Sequence, residues 1–159
     1  MGISKEDFRA ALSRFPSGVT IVTTKDANGR LHGITVSAFA SVSLEPPMIL
    51  VCIEKKSGSH DAISEKGRFA VHILHEAQNE LSNRFAAPIP TKFEGISYRE
   101  NEWGIPVLND VSVALECRVA HAHEGGDHTI YVGEIECAEI KDGNPLVYWH
   151  GNYRKLEID

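Results

Sequence analysis

The sequence predicts a mainly β domain, closed or nearly closed into a barrel, with two or three short helices. About six or seven runs are β-branched, aromatic or alternating, and turn signals separate them at short intervals. Only two or three stretches carry helical composition, too few to build a layer of their own. No repeat, low-complexity tract or linker divides the chain, so residues 1–159 are expected to form a single domain.

Each element follows from local chemistry. Ser4, with Asp7 three residues on, is an N-terminal capping signal. Phe8, Ala11, Leu12 and Phe15 then recur at i, i+3, i+4 and i+7, giving a short helix one apolar face, and Pro16-Ser17-Gly18 ends it. Val19 to Thr24 reads as a strand, followed by the turn Asp26-Ala27-Asn28-Gly29. Leu31 to Ala40 and Met48 to Ile53 read as further strands, separated by Glu45-Pro46-Pro47. Ser57-Gly58-Ser59-His60 leads into a short helix closed by Gly67, and Arg68 to Leu74 returns as a strand. Ala77 to Ala86 is helical, with Leu81 and Phe85 on one face. Residues 87–105 hold Pro and Gly breakers and no period, so a long irregular crossing segment is expected. Val111 to His123 alternates apolar and polar, and Thr129 to Ile135 is β-branched and aromatic, with Gly125-Gly126-Asp127-His128 turning between them. Asp142-Gly143-Asn144 is another turn before the strand Leu146 to Trp149.

Composition excludes several function classes. An apolar share of 42% and a charged share of 24% are ordinary for a globular domain. Net charge is −6 and the isoelectric point about 5.7, without the basic stripe that nucleic-acid binding requires. Lys55-Lys56 is the nearest approach to a basic cluster. Cys52, Cys117 and Cys137 lie in apolar strand-like runs without CxxC spacing, which predicts buried free thiols in a reducing cytoplasm. No apolar h-region follows a basic start, and Met48 to Ile53, the longest apolar run, is too short to span a bilayer. A cytoplasmic protein without membrane attachment is expected.

The usual nucleotide and hydrolase motifs are missing. None of the thirteen glycines forms a GxG pair, and neither GxxxxGK[ST] nor GxSxG occurs. Any nucleotide must therefore be held by another kind of loop. In Lys55-Lys56-Ser57-Gly58-Ser59-His60, two hydroxyls, a glycine and a helix start suit an anion, with the lysines offsetting its charge. A plain helix cap with solvated lysines is the competing reading. Gly33-Ile34-Thr35-Val36-Ser37-Ala38-Phe39 offers small and hydroxylated residues on an apolar strand, room for a planar ring, or else a strand against a crowded core.

Gly125 and Gly126 allow a tight turn close to a flat ligand, after which the His128 imidazole emerges at a strand mouth. An ordinary hairpin with a solvent-facing histidine has the same pattern. Tyr148-Trp149 and Gly151-Asn152-Tyr153-Arg154 either seal the barrel or cover a bound ring. Of eight histidines, His121 and His123 share a strand face while His72 and His75 do not share a helical one. No acid or Cys stands at a companion spacing, so no metal site is expected.

Taken in order, Phe15-Pro16-Ser17-Gly18-Val19-Thr20, Gly33 to Phe39, Ser43-Leu44-Glu45-Pro46-Pro47, Gly126-Asp127-His128 and Tyr153-Arg154 resemble the motifs of short-chain flavin reductases. These are the NAD(P)H-dependent reductase components of two-component flavin monooxygenases, and the resemblance runs from about residue 8 to residue 156. It implies a homodimeric, Greek-key FMN-binding split barrel, with the flavin in a groove near the dimer interface.

Carried over residue by residue, it sets Thr35, Val36, Ser37 and Ala38, with Ser43 and Leu44, around the isoalloxazine, and Cys52 and Ile53 behind it. Ser57 and Ser59 would hold the phosphate, with Arg84 and Phe85 close by. His60 stands where the family often has Thr or Ser, which leaves it as phosphate donor or bystander. Gly126, Asp127 and His128, with Tyr153 and Arg154, would meet the nicotinamide, and His128 would be the catalytic residue.

FMN is the implied cofactor, with FAD as the alternative, and NADH or NADPH the co-substrate. Hydride transfer asks for two rings stacked at roughly 3–3.5 Å and for no strong base or nucleophile, consistent with the missing catalytic constellations. A flavin- or haem-binding split barrel without reductase turnover is the alternative, and a metal-dependent or purely structural module a more distant one. Reduced flavin would pass to a separate flavin-dependent monooxygenase.

Overall fold

The computed structural model describes residues 2–159. In chain order the elements are α1 (Lys5–Leu12), β1 (Ser17–Gly18), β2 (Thr20–Lys25), β3 (Leu31–Val36), β4 (Phe39–Ser43) and β5 (Met48–Glu54). Then come α2 (Gly58–Lys66), β6 (Arg68–Ile73), α3 (Asn79–Ala86), β7 (Tyr98–Glu100), β8 (Pro106–Leu108), β9 (Val113–Gly125) and β10 (His128–Ile140). The short β11 (Val147–Trp149) and β12 (Asn152–Arg154) follow.

Seven strands form one antiparallel sheet in the order β3-β2-β6-β9-β10-β5-β4. Its outermost members, β3 and β4, are separated in the chain only by Ser37 and Ala38. Three Cα steps reach about 11 Å, whereas seven strands laid flat would span about 29 Å. The sheet must therefore curl until its two edges meet, and Ser37-Ala38 marks the seam of a barrel. The single strand expected over Leu31 to Ala40 is accordingly two strands, because the chain changes edge at the seam.

Two apolar clusters hold the sheet. Inside the barrel Val22, Val36, Ile53, Phe69 and Tyr131 pack together, with Ile63 of α2 as a plug. Outside it, Ile21, Leu74, Phe85, Val107 and Leu108 pack where α3 and the β7–β8 segment cover β2 and β6. Strand β2 serves both clusters, so Thr20 through Thr24 are buried on both faces rather than alternating.

Other expectations need correction. Residues 87–105 are not wholly irregular: Tyr98–Glu100 pairs with Pro106–Leu108, a hairpin too short to carry a sequence period. The strand expected from Val111 to His123 begins at Val113 and runs to Gly125. A further strand, β12, pairs with β11 through a turn in which His150 and Gly151 both have positive φ. Helix α1 forms as capped, Asp7 N–H donating to Ser4 Oγ at 3.0 Å, yet none of its residues is buried. Phe8, Leu12 and Phe15 stay exposed, so the apolar stripe has no cover among the described residues. All three thiols are free, but only Cys117 is buried, while Cys52 is half-buried and Cys137 exposed. Among the described residues no helix is long and apolar enough to cross a membrane.

Candidate active site

Strand β3 and its continuation line three cavities in succession. The first, about 380 Å³, is walled by residues 30–34, the start of α2 and the 88–93 loop. Thr35 of β3 and Ser37 of the seam enter a second cavity of about 300 Å³ with Ser82, Asn83, Tyr148 and Tyr153. Ser37, Ala38 and Phe39 border the last, about 650 Å³, whose walls of Leu12, Phe15, Pro16, Val19 and Ile73 are mostly apolar. Ser37 is common to the latter two, so the seam is where they adjoin.

The first cavity has a lining that suits an anion. Arg30, His32 and Lys92 line it and no Asp or Glu does, although the chain as a whole carries net charge −6. The N-terminus of α2 faces it through Ser57, Gly58 and Ser59. Ser57 is engaged as the cap: it accepts His60 N–H at 3.3 Å and donates to Glu54 O at 2.9 Å. Ser59, only 5% exposed, lines the cavity beside it. His32 is fixed by Asp26, its Nε2 lying 2.8 Å from Oδ2. That bond holds the Asp26 carboxyl below its ordinary range, helped by the backbone N–H of Arg30.

Several sequence-predicted residues stand elsewhere, each for a visible reason. His60 has both ring nitrogens occupied, Nδ1 by Asp61 at 2.9 Å and Nε2 by Thr129 Oγ1 at 2.8 Å, so it fastens α2 to β10. Lys55 is paired with Glu124 across the hairpin rather than aimed at the loop. Arg84 donates from Nε to Lys92 O and from Nη2 to Thr91 O, both at 2.8 Å, which ties down the 88–94 loop. Phe85 is wholly buried and lies edge-on to Phe93 with ring centroids 5.1 Å apart. Val36 and Ile53 send their side chains into the barrel interior, so only their backbone is available to a ligand. Ser43 pairs with Met48 and Leu44 is 92% exposed, at the end of β5 remote from the Ser57 loop.

Cys52 does lie beside the seam, its N–H donating to Ala38 O at 3.1 Å, and partial burial pushes its thiol pKa up. Thr35 and Tyr153 meet through α3: Thr35 Oγ1 donates to Ser82 O at 2.6 Å. Tyr153 donates its one hydroxyl proton to Asn83 Oδ1 at 2.8 Å, so Ser82 Oγ, 2.7 Å away, donates to Tyr153. Arg154 reaches back toward the Trp149 ring, 5.4 Å from its centroid, and lines a neighbouring opening with Tyr153 and Lys155.

The Gly126-Asp127 loop is a two-residue hairpin turn with positive φ at Gly126 alone, the type II′ pattern. His128 pairs with Glu54 and leans on Asp127, Nδ1 to Oδ1 2.7 Å. That contact lowers the Asp127 carboxyl pKa. His128 is not among the residues lining the three cavities. His121 and His123 stack at 5.8 Å, and among the described residues no three His, Cys, Asp or Glu gather to hold a metal.

Sequence reasoning missed Lys92, Ser82, Asn83 and His32. Lys92 sat in a segment without a period, and Ser82 and Asn83 were hidden as ordinary helix polars. Only the paired prolines at 88 and 90 hinted that the loop before Lys92 is a rigid wall.

The flavin reductase like domain model matches residues 12–157. The chain is 42% identical over 155 residues to the FMN reductase (NADH) SmoA of Agrobacterium fabrum, covering 98% of this chain and 88% of that protein. It is 39% identical to a probable flavin reductase of Rhizobium meliloti, matching 91% of this chain but spanning only 47% of that relative's length. Nitrilotriacetate monooxygenase component B from Mycobacterium thermoresistibile superposes with a TM-score of 0.91 at 37% identity, over 96% of this chain and 87% of that one. With the barrel and its seam in place, a match over residues 12–157 means that the chain belongs to the flavin reductase like domain family.

Proposed function

We propose that this chain is an NAD(P)H-dependent flavin reductase that reduces FMN, with FAD as the alternative, and hands the reduced flavin to a separate flavin-dependent monooxygenase. The observation that carries the reading is the continuity of an acid-free anion cavity with uncharged seam cavities along one strand. That sequence of surfaces matches a phosphate joined to a flat, largely apolar ring. The names of the Agrobacterium and Mycobacterium relatives point the same way.

A bound flavin supplies the hydride-accepting chemistry, and the chain supplies position. Ser59 and the N-terminus of α2 hold the phosphate, with Ser57 shaping the loop as its cap. Thr35, Ser37 and Ala38 present small side chains and backbone groups beneath the ring, while Phe15 and Leu12 keep water from one flank. Tyr153, fixed by Ser82 and Asn83, and the nearby Arg154 border the side from which nicotinamide approaches. His128 orients the nicotinamide as part of a homodimer in which a second copy completes the site. The uncovered Phe8, Leu12 and Phe15, together with the exposed stretch Ala38 to Ser43, favour such a pairing. Three free thiols suit a reducing cytosol.

The test supplies NADH and FMN to the purified protein with cytochrome c as electron trap. Trap reduction that scales with added free FMN supports a diffusible reduced product. Reduction indifferent to added flavin, or hydroxylation of a phenol by this chain alone, overturns it. Light scattering should give about twice 17.5 kDa, and a monomer that turns over normally would refute the pairing.

A further inference from the structure

One of the basic residues lining the first cavity, Lys92, belongs to a segment in which the sequence showed no chemistry. Lys92 Nζ donates to Gly33 O at 2.9 Å and to Phe85 O at 2.8 Å. An ammonium carries three N–H groups, so one remains for the cavity that Lys92 lines together with Ser59 and the start of α2. The two carbonyls fix where the charge stands, which removes most of the rotamer entropy that a surface lysine loses on binding. Burial depresses the Lys92 pKa, so an anion alongside would restore the charged form that burial disfavours.

Arg84 explains why the lysine is there. Its guanidinium takes the carbonyls of Thr91, Lys92 and Glu94, three acceptors of one loop. Pro88 and Pro90 stiffen the approach. The two cations thus divide the work: Arg84 is spent on the loop backbone, and Lys92 is what the loop presents. Ser59 lines the same cavity; the residue is only 5% exposed, yet its hydroxyl is not sealed away and can meet a donor or acceptor there.

We propose that Lys92 is the specificity-determining cation of this site, which selects flavins bearing a phosphate over riboflavin, and that Arg84 is its positioning residue. This rests on the flavin reductase reading. Lys92 and Ser59, which line the same cavity, both grip the phosphate, and the α2 N-terminus adds its backbone N–H groups. The ring, held at the seam, does not sense Lys92.

The experiment measures the affinities of FMN and riboflavin for the full-length wild type, Lys92→Gln, Lys92→Arg and Arg84→Gln by flavin fluorescence quenching. Inorganic phosphate serves as a competitor. Lys92→Gln should weaken FMN roughly 10-fold or more and leave riboflavin within about 2-fold, as expected for one charge-assisted bond of about 1.5–3 kcal/mol. Lys92→Arg should keep most of the preference. Arg84→Gln should reduce it partway, with the loop more accessible to protease than in the wild type. Phosphate should compete with FMN in the wild type and much less in Lys92→Gln.

Equal weakening of both flavins by Lys92→Gln would make Lys92 a structural tie only and overturn the proposal. An unchanged ratio in a protein that still prefers FMN would overturn it while leaving the flavin reading intact. A wild type that binds neither flavin would overturn both. Should Lys92→Gln fail to fold, Ser59→Ala and the wild-type phosphate competition decide: without a selective loss of FMN in the first and competition in the second, the proposal falls.

Discussion

His72 Nε2 accepts the backbone N–H of Leu108 at 3.0 Å, in the sealed space between the barrel and the segment that covers it. An acceptor at Nε2 requires the proton on Nδ1, which donates to Ile21 O at 2.8 Å. One neutral tautomer therefore ties β6 to both β2 and β8.

The first prediction concerns acid stability. Burial depresses the His72 pKa from 6.5 to about 4. Between these values the unfolded chain binds the extra proton and the folded chain does not, so stability rises with pH there and is lost as pH falls from 6.5 toward 4. The gap of about 2.5 corresponds to about 3 kcal/mol at 1.36 kcal/mol per pH unit. Urea denaturation of wild type and His72→Phe should show the variant less stable by about 1–3 kcal/mol at pH 7, because two backbone partners are orphaned. That difference should shrink toward pH 4; a constant difference would mean that His72 does not titrate on unfolding.

A second prediction tests the close approach of α3 to β3. A Cβ on Gly33 would lie 2.5 Å from Phe85 Cε1, with no room for the ring to retreat inside the core. Gly33→Ala should cost about 1–3 kcal/mol of stability and weaken FMN binding. Pairing it with Phe85→Leu should recover part of the loss. Thermal unfolding of the single and double variants measures the coupling, and strictly additive effects would contradict a direct clash.

The hydroxyl of Tyr153 offers a cleaner probe of orientation. Tyr153→Phe removes its bonds to Ser82 and Asn83 while keeping the ring against Tyr148, 5.4 Å away. Stability should fall by only about 1 kcal/mol. Steady-state kinetics should show a several-fold lower kcat/KM for NADH, with FMN affinity within about 2-fold. A large loss of FMN affinity would place Tyr153 under the flavin instead.

His128→Ala should raise KM for NAD(P)H roughly 5- to 13-fold, equivalent to a lost bond of about 1–1.5 kcal/mol, and leave flavin affinity near wild type. Because His128 lies outside the cavities of its own chain, mixing it with an inactive seam variant such as Ser37→Trp provides a further check. Recovered activity in the mixture indicates that the histidine acts across the dimer, and none indicates that it acts within its own chain.

The strands were legible because β-branched runs and turn residues are local signals, and the α1 and α2 caps were legible for the same reason. Ser4 and Ser57 announce a helix start whatever the tertiary setting. What the chain hid was non-local. No local pattern separates one strand over Leu31 to Ala40 from two strands on opposite edges, since the break at Ser37-Ala38 exists only because the sheet closes. Ser59 was singled out by its chemistry alone, and it lines the first cavity. Arg84 and Lys92 were a different matter: both are cations near the cavity, and only the three carbonyls around Arg84 reveal which one is already occupied. The assignment of a ring-facing strand and a nicotinamide loop rests on the resemblance to flavin reductases, since no periodicity in the sequence distinguishes them from an ordinary strand and hairpin.

The seam between β3 and β4 has one more consequence. The interior strands of the main sheet pair on both sides over at least part of their length, while each of these two has a strand partner on only one side. A heterocycle edge lying there is recognised in the vocabulary of the peptide bond, which side-chain substitution cannot rewrite. Drift at Thr35, Ser37 or Ala38 would alter how well a ring fits without altering which donors and acceptors it meets, whereas a proline at 37 or 38 would erase a donor outright. Tolerance to side-chain change and intolerance to proline, at adjacent positions, is the signature such a seam should leave in a saturation screen.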